Sequence, residues 1–472
     1  MAEQAVRYLE QNYRCPKHHV EHTGSIAYLL DFYDYLGGVE KGKELIEHLL
    51  NLIVDNPPGG KVFYPGHLNP MNMSQNVIDT GTAIDTISRF ARRNREAFSA
   101  EEHQRIQLAL TEVVESYLIE AASGKKITNQ RLWGLTGLAS FGHYTSEEEK
   151  FKNAAEKSIK QAFVDATPDG FFRYFPNPEK NSLPYDGITT FYQSRHITFI
   201  QYALSELSMD PLPYQKDIES SISALLAMYD SKGVKDLRME CKRWYWLGSY
   251  EVASHPFDAF ALSQSIQPIA RVALHNVLYQ IKKHFYDGFM HSHKGTNLDF
   301  QCPIFWTAHL AWLTRIEGIE KMFDDIQEPA SFEYVFKGKE IFTKTSKNGE
   351  RILINSRWQE RNPTEGILTN GLEGRCVWAT KLPHLPHAFL FSAREVLNHA
   401  WYALRGGHIF EAIVRLWRFA LLSLQSILPL YCASSGKIEA LNYSENELTV
   451  DVVLASKFGA LSKKRQNIVI KF

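Results

Sequence analysis

Through the first 320 residues, apolar positions recur at three- and four-residue spacing, with polar and charged residues on the intervening faces. That period predicts amphipathic helices. It runs through residues 23–37, 41–55, 76–93, 100–122, 129–141, 147–165, 188–207, 214–229, 256–284 and 298–316, after a first helix at the N-terminus. A glycine turn keeps returning between these stretches. Its copies are Gly59-Gly60-Lys61-Val62-Phe63-Tyr64-Pro65, Asp169-Gly170-Phe171-Phe172-Arg173-Tyr174, Ser231-Lys232-Gly233-Val234-Lys235 and Asp287-Gly288-Phe289-Met290-His291, with a weaker one at Ser123-Gly124-Lys125-Lys126-Ile127. The intervals are uneven, but each is near the length of two helices and their connections. A supersecondary unit repeated at such a period buries its apolar faces against its neighbours. The expectation is a mainly α fold, an (α/α) toroid of five to six helical hairpins over residues 1–320.

After Glu317 the rhythm changes to two residues. Phe332-Glu333-Tyr334-Val335-Phe336, Lys339-Glu340-Ile341-Phe342-Thr343-Lys344 and Arg351-Ile352-Leu353-Ile354-Asn355 read as strands, and Asn348-Gly349 as a hairpin turn. A helical insert follows at 392–430, then strands at 448–454 and 467–471. Residues 321–472 are therefore expected to form a smaller C-terminal β-rich domain with helices inside it.

Composition narrows the class. Of 472 residues 44% are hydrophobic and the formal net charge is −1, which describes a globular chain with no electrostatic footprint for nucleic acid. A local basic cleft for an acidic polymer is compatible with that sum. The five cysteines are scattered without a CxxC pair, so neither a disulfide framework nor a zinc ribbon is indicated. The N-terminal residues read as a charged helix and not as a secretory segment, placing the chain as written in the cytoplasm, or in the periplasm or outside the cell if a signal was removed. Residues 409–431 are the one membrane candidate; Glu411, Arg415 and Arg418 interrupt them, so the expectation is a buried amphipathic helix and no membrane span, with an interfacial helix as the alternative.

In a toroid the helices that follow the glycine turns bring their first residues to one mouth. Those segments carry Asn76, then Asn129, Gln130, Arg131 and Trp133, then Tyr192, Gln193, Arg195 and His196, then Trp244, Trp246 and His255, and finally His291, His293 and Gln301. Aromatic rings stack on sugar faces, while amides and guanidinium groups bind hydroxyls and carboxylates. An acidic glycan cleft is one reading; a plug of core aromatics is the other. Tyr192, Arg195 and His196 stand at i, i+3 and i+4, on one helix face. They suit β-elimination across a uronic acid. A base must take the proton beside the carboxylate, and donors must neutralise that carboxylate and the enolate-like charge that develops. Tyrosine serves as base only with a positive neighbour, a place Arg195 fills, while His196 orients it or acts as a second acid or base. Asn129 and Gln130 hold the carboxylate, and no metal or other cofactor is required.

The segment Thr128-Asn129-Gln130-Arg131-Leu132-Trp133-Gly134-Leu135 resembles the amide- and histidine-led apolar helix of heparinase II/III-like and alginate-type polysaccharide lyases. Asp169-Gly170 followed by Tyr192-Gln193 is similar to the Asp-Gly turn and Tyr-His pair of those families, as is the order of toroid and β domain. The resemblance covers about 80 residues and implies lyase chemistry with Asn129 as carboxylate neutraliser and Tyr192 as proton carrier. Gln130 and Gln193 depart from it, standing where those motifs often carry histidine.

Other classes stay open. Pairs drawn from Asp79, Asp85, Asp169 and Asp186 suit an inverting glycosidase, and a sugar epimerase on the same scaffold would use Asp or His. A glycan-binding or assembly protein would keep the aromatics without the chemistry. Cys15, His18, His19 and His22 cluster in sequence, as do His291 and His293; both are more economically read as surface or cleft residues than as metal ligands.

Overall fold

The computed structural model describes residues 1–12, 23–56, 59–64, 73–124, 127–174, 188–237, 239–240, 250–291, 303–326, 328–355, 366–370, 378–379, 435–444, 446–455 and 464–471, with single residues and short helical pieces between 397 and 420. The described chain is mainly helical. Helices α1 (Ala2–Gln11), α2 (Thr23–Ala27), α3 (Leu29–Leu36) and α4 (Val39–Leu50) lead into a ribbon of β1 (Ile53–Asp55) and β2 (Lys61–Phe63). Then come α5 (Met73–Arg93), α6 (Ala100–Val113), α7 (Ile119–Gly124), α8 (Thr128–Thr145), α9 (Glu148–Asp165), α10 (Gln193–Glu206) and α11 (Leu212–Leu226). The helical part closes with α12 (His255–Ser263), α13 (Pro268–His284), the ribbon β3 (Phe285–Tyr286) and β4 (Phe289–Met290), α14 (Pro303–His309), a 3-10 segment (Leu310–Arg315) and α15 (Ile319–Asp324).

The stretch expected at 256–284 is two helices. Pro268 opens the second one, in the first turn where its missing N–H is no loss. The stretch at 100–122 is interrupted by a π turn at Val114–Leu118. Its start is fixed by a capping box in which Ser99 and Glu102 satisfy each other's backbone N–H groups.

Composition decides which helices lie inside. Helix α8 carries one formally charged side chain, Arg131, and is buried on nearly every side. Its successor α9 buries a single stripe, Phe151, Ala155, Ser158, Ile159 and Ala162, and turns its lysines and glutamates outward. A helix apolar all round belongs inside; one with a stripe covers it.

The inner elements meet in a closed order: α3 packs on α5, α5 on α8, α8 on α10, α10 on α12, α12 on the 3-10 segment, and that segment on α3. In every pair the contacts, taken together with the residues just before each element, advance in the same direction. Gly24 meets Asp79 and Asp31 meets Arg89. Val77 lies by Gly134 and Gly81 by Gly137. Trp133 lies by Phe199 and Ser140 by Tyr202; Arg195 bonds Ala253 and Tyr202 packs on Phe260. Phe257 meets His309 and Phe260 meets Trp312, while Trp312 bonds Tyr28 and Arg315 bonds Asp31. The six run parallel, so their first residues gather at one end.

The recurring turn is a structural repeat as well. Gly59, Gly60, Gly170, Gly233 and Gly288 all hold positive φ, between 78° and 125°. The turns are pinched by the β1–β2 ribbon, the Arg173–Ile188 bridge, the Tyr229–Lys235 bridge and the β3–β4 ribbon. Only glycine takes that backbone readily.

Beyond the helices, β5 (Tyr334–Lys337), β6 (Ile341–Thr345), β7 (Arg351–Asn355), β8 (Gly366–Asn370) and β9 (Trp378–Ala379) form an antiparallel sheet in sequence order. Asn348-Gly349 makes the β6–β7 turn, with Gly349 at φ 91°. A second antiparallel sheet contains β10 (Ser435–Tyr443), β11 (Glu447–Ala455) and β12 (Lys464–Lys471). One apolar core runs without a break from Ala5 on α1 to Ile341 and Leu353 on β6 and β7.

The helical insert departs from expectation. Among its described residues Ala412 is buried, but Ile409, Phe410, Ile413 and Trp417 are exposed, Phe410 at 81%. The burial expected for 409–431 assumed that its apolar residues would find cover within the chain, and among the described positions Ala412 alone does while the larger apolar side chains stand bare. No helix among the described residues is long and apolar enough to cross a membrane.

Candidate functional site

Because the inner elements are parallel, the starts of α5, α8, α10 and α12 share one end, and with them most of the residues singled out in the sequence. The end of α10 facing this side is built on a carboxylate. Glu240, fully buried, accepts the Phe191 N–H at 2.7 Å and the hydroxyls of Thr189 and Thr190 at 3.3 and 3.2 Å. That fixes the residues leading into Tyr192.

Tyr192 is half-buried. Its ring stacks on Tyr174, with centroids 5.9 Å apart, and on His196 at 6.2 Å with 12° between the planes. Tyr174, Tyr192 and Ile127, the residue just before α8, make a small apolar group of their own. Arg195 is buried beneath them. Its guanidinium donates to the carbonyls of Phe191 at 3.2 Å and Ala253 at 2.6 Å, and lies over the rings of Phe191, Phe257 and Tyr192 at 4.2, 4.6 and 5.5 Å.

His196 is sealed from water, and neither ring nitrogen has a hydrogen-bond partner. Phe172 presses its edge on the ring at 4.9 Å. Burial, followed by the positive charges of Arg131 and Arg195, holds the imidazole pKa well below 6.5, so the ring is neutral. On α8, Asn129 is buried with its Oδ1 unpartnered, as is the Oγ1 of Thr128. Gln130 sits buried beside them.

Other expected ligand contacts turn out to be spoken for. Gln193 spends its amide on the backbone: Nε2 donates to the carbonyls of Gly170 (2.9 Å) and Ser221 (3.1 Å), and Oε1 accepts the Phe172 N–H at 2.9 Å. Arg131 pairs with Asp165 at 3.2 Å inside the protein. Trp133 is not at an open mouth; it is packed among Tyr28, Phe199, Phe257 and His309. The plug reading therefore holds for this ring. Asn76 donates to Asn56 Oδ1 at 3.0 Å. His255 is buried and bonds Asp258 at 3.2 Å; the other oxygen of Asp258 receives Lys235 at 2.5 Å. Burial lowers the pKa of both Lys235 and His255, and it opposes the charge on Asp258, but Lys235 and His255 together hold that carboxyl below its usual range. Trp244, Trp246, His293 and Gln301, like Cys15, His18, His19 and His22, lie outside the described residues. His291 stacks on Tyr286. Among the described residues no group of three or more His, Cys, Asp or Glu is arranged to hold a metal.

The aspartates of the hydrolase reading are also engaged. Asp79 accepts the Gly24 N–H at 2.8 Å. Asp85 accepts Ser140 at 2.6 Å, Tyr202 at 2.8 Å and Arg315 at 2.9 Å. Burial raises its pKa against the pull of Arg315, which is shared with Asp31. Asp169 accepts three backbone N–H groups from the C-terminal sheet, and Asp186 is outside the described residues. Sequence reasoning missed Tyr174, Glu240 and the Lys235–Asp258 pair. The Tyr174 ring was within reach, since it closes the second glycine turn; the others depend on partners more than twenty residues away.

No protein-family model and no curated protein matches this chain.

Proposed function

We propose that the chain is an (α/α) toroid lyase that cleaves an acidic, uronate-containing polysaccharide by β-elimination. The toroid reading is supported by the closed order of parallel inner elements, each separated in sequence by helices that cover them. The chemical reading rests on one observation. Tyr192, half-buried beside the Arg195 guanidinium, shares its end of the fold with Asn129, a buried amide whose Oδ1 has no partner within the chain.

In this reading the Asn129 amide neutralises the uronate carboxylate. The Tyr192 phenolate takes the proton from the adjacent carbon, the released electron pair forms the carbon–carbon double bond, and the glycosidic oxygen departs with the proton that Tyr192 returns. His196, buried away from water and walled in by Phe172, shapes the floor under Tyr192 and is out of a substrate's reach as a second base. The parallel helix starts turn their positive dipole ends to the same side, which favours an anionic substrate. The engagement of Asp79, Asp85 and Asp169 disfavours a carboxylate-pair hydrolase among the described residues.

The test is ultraviolet absorbance during incubation with a panel of uronate polymers. Lyase action gives a rising signal from the unsaturated uronate, and Tyr192→Phe should reduce it at least about 100-fold, the scale of a lost general acid–base. Full elimination by Tyr192→Phe would overturn the mechanism. New reducing ends without the absorbance would replace it with hydrolysis, and binding with neither signal would leave a glycan-binding protein.

A further inference from the structure

We infer that the C-terminal sheet is part of the site's machinery, holding the start of α10 in register through Asp169, which acts as a positioning residue. The inference draws its functional meaning from the reading of Tyr192 above, but the coupling is a property of the folded chain alone.

Asp169 is buried where the second glycine turn meets the β5–β6 connection. Its Oδ1 accepts the Lys339 N–H at 2.6 Å, and its Oδ2 accepts those of Glu340 and Ile341 at 2.8 and 2.9 Å. Three successive amides aimed at one carboxylate form an anion nest, and such charge-assisted bonds are the strong ones. The nest is itself braced. The Gly338 N–H donates to the Ile341 carbonyl at 2.9 Å, and the Tyr443 hydroxyl, from β10, donates to the Gly338 carbonyl at 2.8 Å. A Cβ on Gly338 would stand 2.5 Å from Asp169 Oδ2, so only glycine lets the carboxylate in.

From Asp169 the connection to the site is short. The next residue, Gly170, accepts Gln193 Nε2, and Phe172 donates its N–H to Gln193 Oε1, both at 2.9 Å. Phe172 also accepts the Thr189 N–H at 2.9 Å and puts its ring edge on His196. Gln193 is the first residue of α10 and Tyr192 is its neighbour. Sheet amides, carboxylate, turn, glutamine and helix start are thus linked by buried polar bonds, each with its geometry set by the one before. Glu240 and the Ser221 carbonyl hold α10 from the other sides, so losing the sheet's grip on Asp169 would loosen the Gly170 and Phe172 contacts of Gln193 and shift the stacked Tyr192–His196 pair without unseating the helix.

The test uses the full chain with isotope-labelled histidine, the His196 ring signal being identified by its loss in His196→Gln. Asp169→Asn keeps the volume but turns an acceptor oxygen into an amide that faces N–H donors. Gly338→Ala attacks the same contact from the sheet side. Both variants should shift the His196 signal while leaving that of His103, on α6, in place. Both should also speed hydrogen exchange at the Phe172 and Thr189 amides at least tenfold relative to the middle of α5. Folded variants with an unmoved His196 signal would overturn the inference, as would exchange that rises equally in α5 and α8, the mark of a general loss of stability. Because neither readout involves substrate, a chain without lyase activity but with a shifted His196 signal would sink the lyase reading and uphold the coupling. A chain with elimination activity unaltered in Asp169→Asn and an unmoved signal would do the reverse.

Discussion

An imidazole shut away from water without a hydrogen-bond partner is tolerated only while it is neutral. The unfolded chain binds a proton on His196 near pH 6.5, whereas the folded chain does not until the pH is far lower, because burial and then Arg131 and Arg195 oppose the charge. The unfolded state therefore holds more protons over that window, and stability is lost as the pH falls below about 6.5, by up to ~1.4 kcal/mol per pH unit from this one group. His284, lowered by burial to about 4, adds loss in the same direction. Urea midpoints measured between neutral and mildly acid pH should fall, and His196→Gln should flatten that dependence by close to one proton; an unchanged slope would mean the folded imidazole is protonated after all. At this scale the sequence was informative about placement and poor about role. The spacing of Tyr192, Arg195 and His196 put them on one face, as found. Yet Gln193 and Arg131 looked the same as free ligands, since nothing local announces that Gly170 and Ser221 will take the one and Asp165 the other.

Helices α5 and α8 touch backbone to backbone. A Cβ on Gly81 would fall 2.4 Å from the Trp133 carbonyl oxygen, and one on Gly137 would fall 2.8 Å from the carbonyl oxygen of Gly81. There is no side chain to yield, so the helices themselves must part. Gly81→Ala is expected to cost at least ~1–3 kcal/mol, as overpacked cores do, in spite of alanine's better helix propensity; a urea midpoint at or above that of the unaltered chain would contradict the close approach. The opposite outcome is expected on the helical insert. Phe410→Glu and Trp417→Glu change exposed positions and should leave stability within ~0.5 kcal/mol while raising solubility. The three- and four-residue period found nearly every helix because each inner or covering helix is apolar enough to show it. Period does not say which face is covered, nor that Pro268 splits residues 256–284, and the bare apolar side chains of the insert are the same failing seen from outside.

Across the whole molecule the change of rhythm after Glu317 is real, since helices give way to strands, but hydrogen bonds cross it at several points. Arg351 of β7 is almost fully buried and donates to the carbonyls of Ala227 and Tyr229 at 2.7 and 2.6 Å, to Thr345 at 2.8 Å, and to Asp236 at 3.3 Å. Those two carbonyls follow α11 and have lost their helical partners, so the sheet completes the end of a helix. Asp169 makes the reciprocal contact, a carboxylate from the helical side received by amides of the sheet. Charges and caps exchanged in both directions, over a continuous apolar core, predict that the helices and the β5–β9 sheet unfold together. Far-ultraviolet dichroism and tryptophan fluorescence should then trace one transition. Arg351→Met should move both by the ~3–5 kcal/mol typical of a broken buried pair. An early, separate loss of the sheet, leaving the helical signal intact, would show that the two parts stand alone and that the site needs nothing from beyond residue 320.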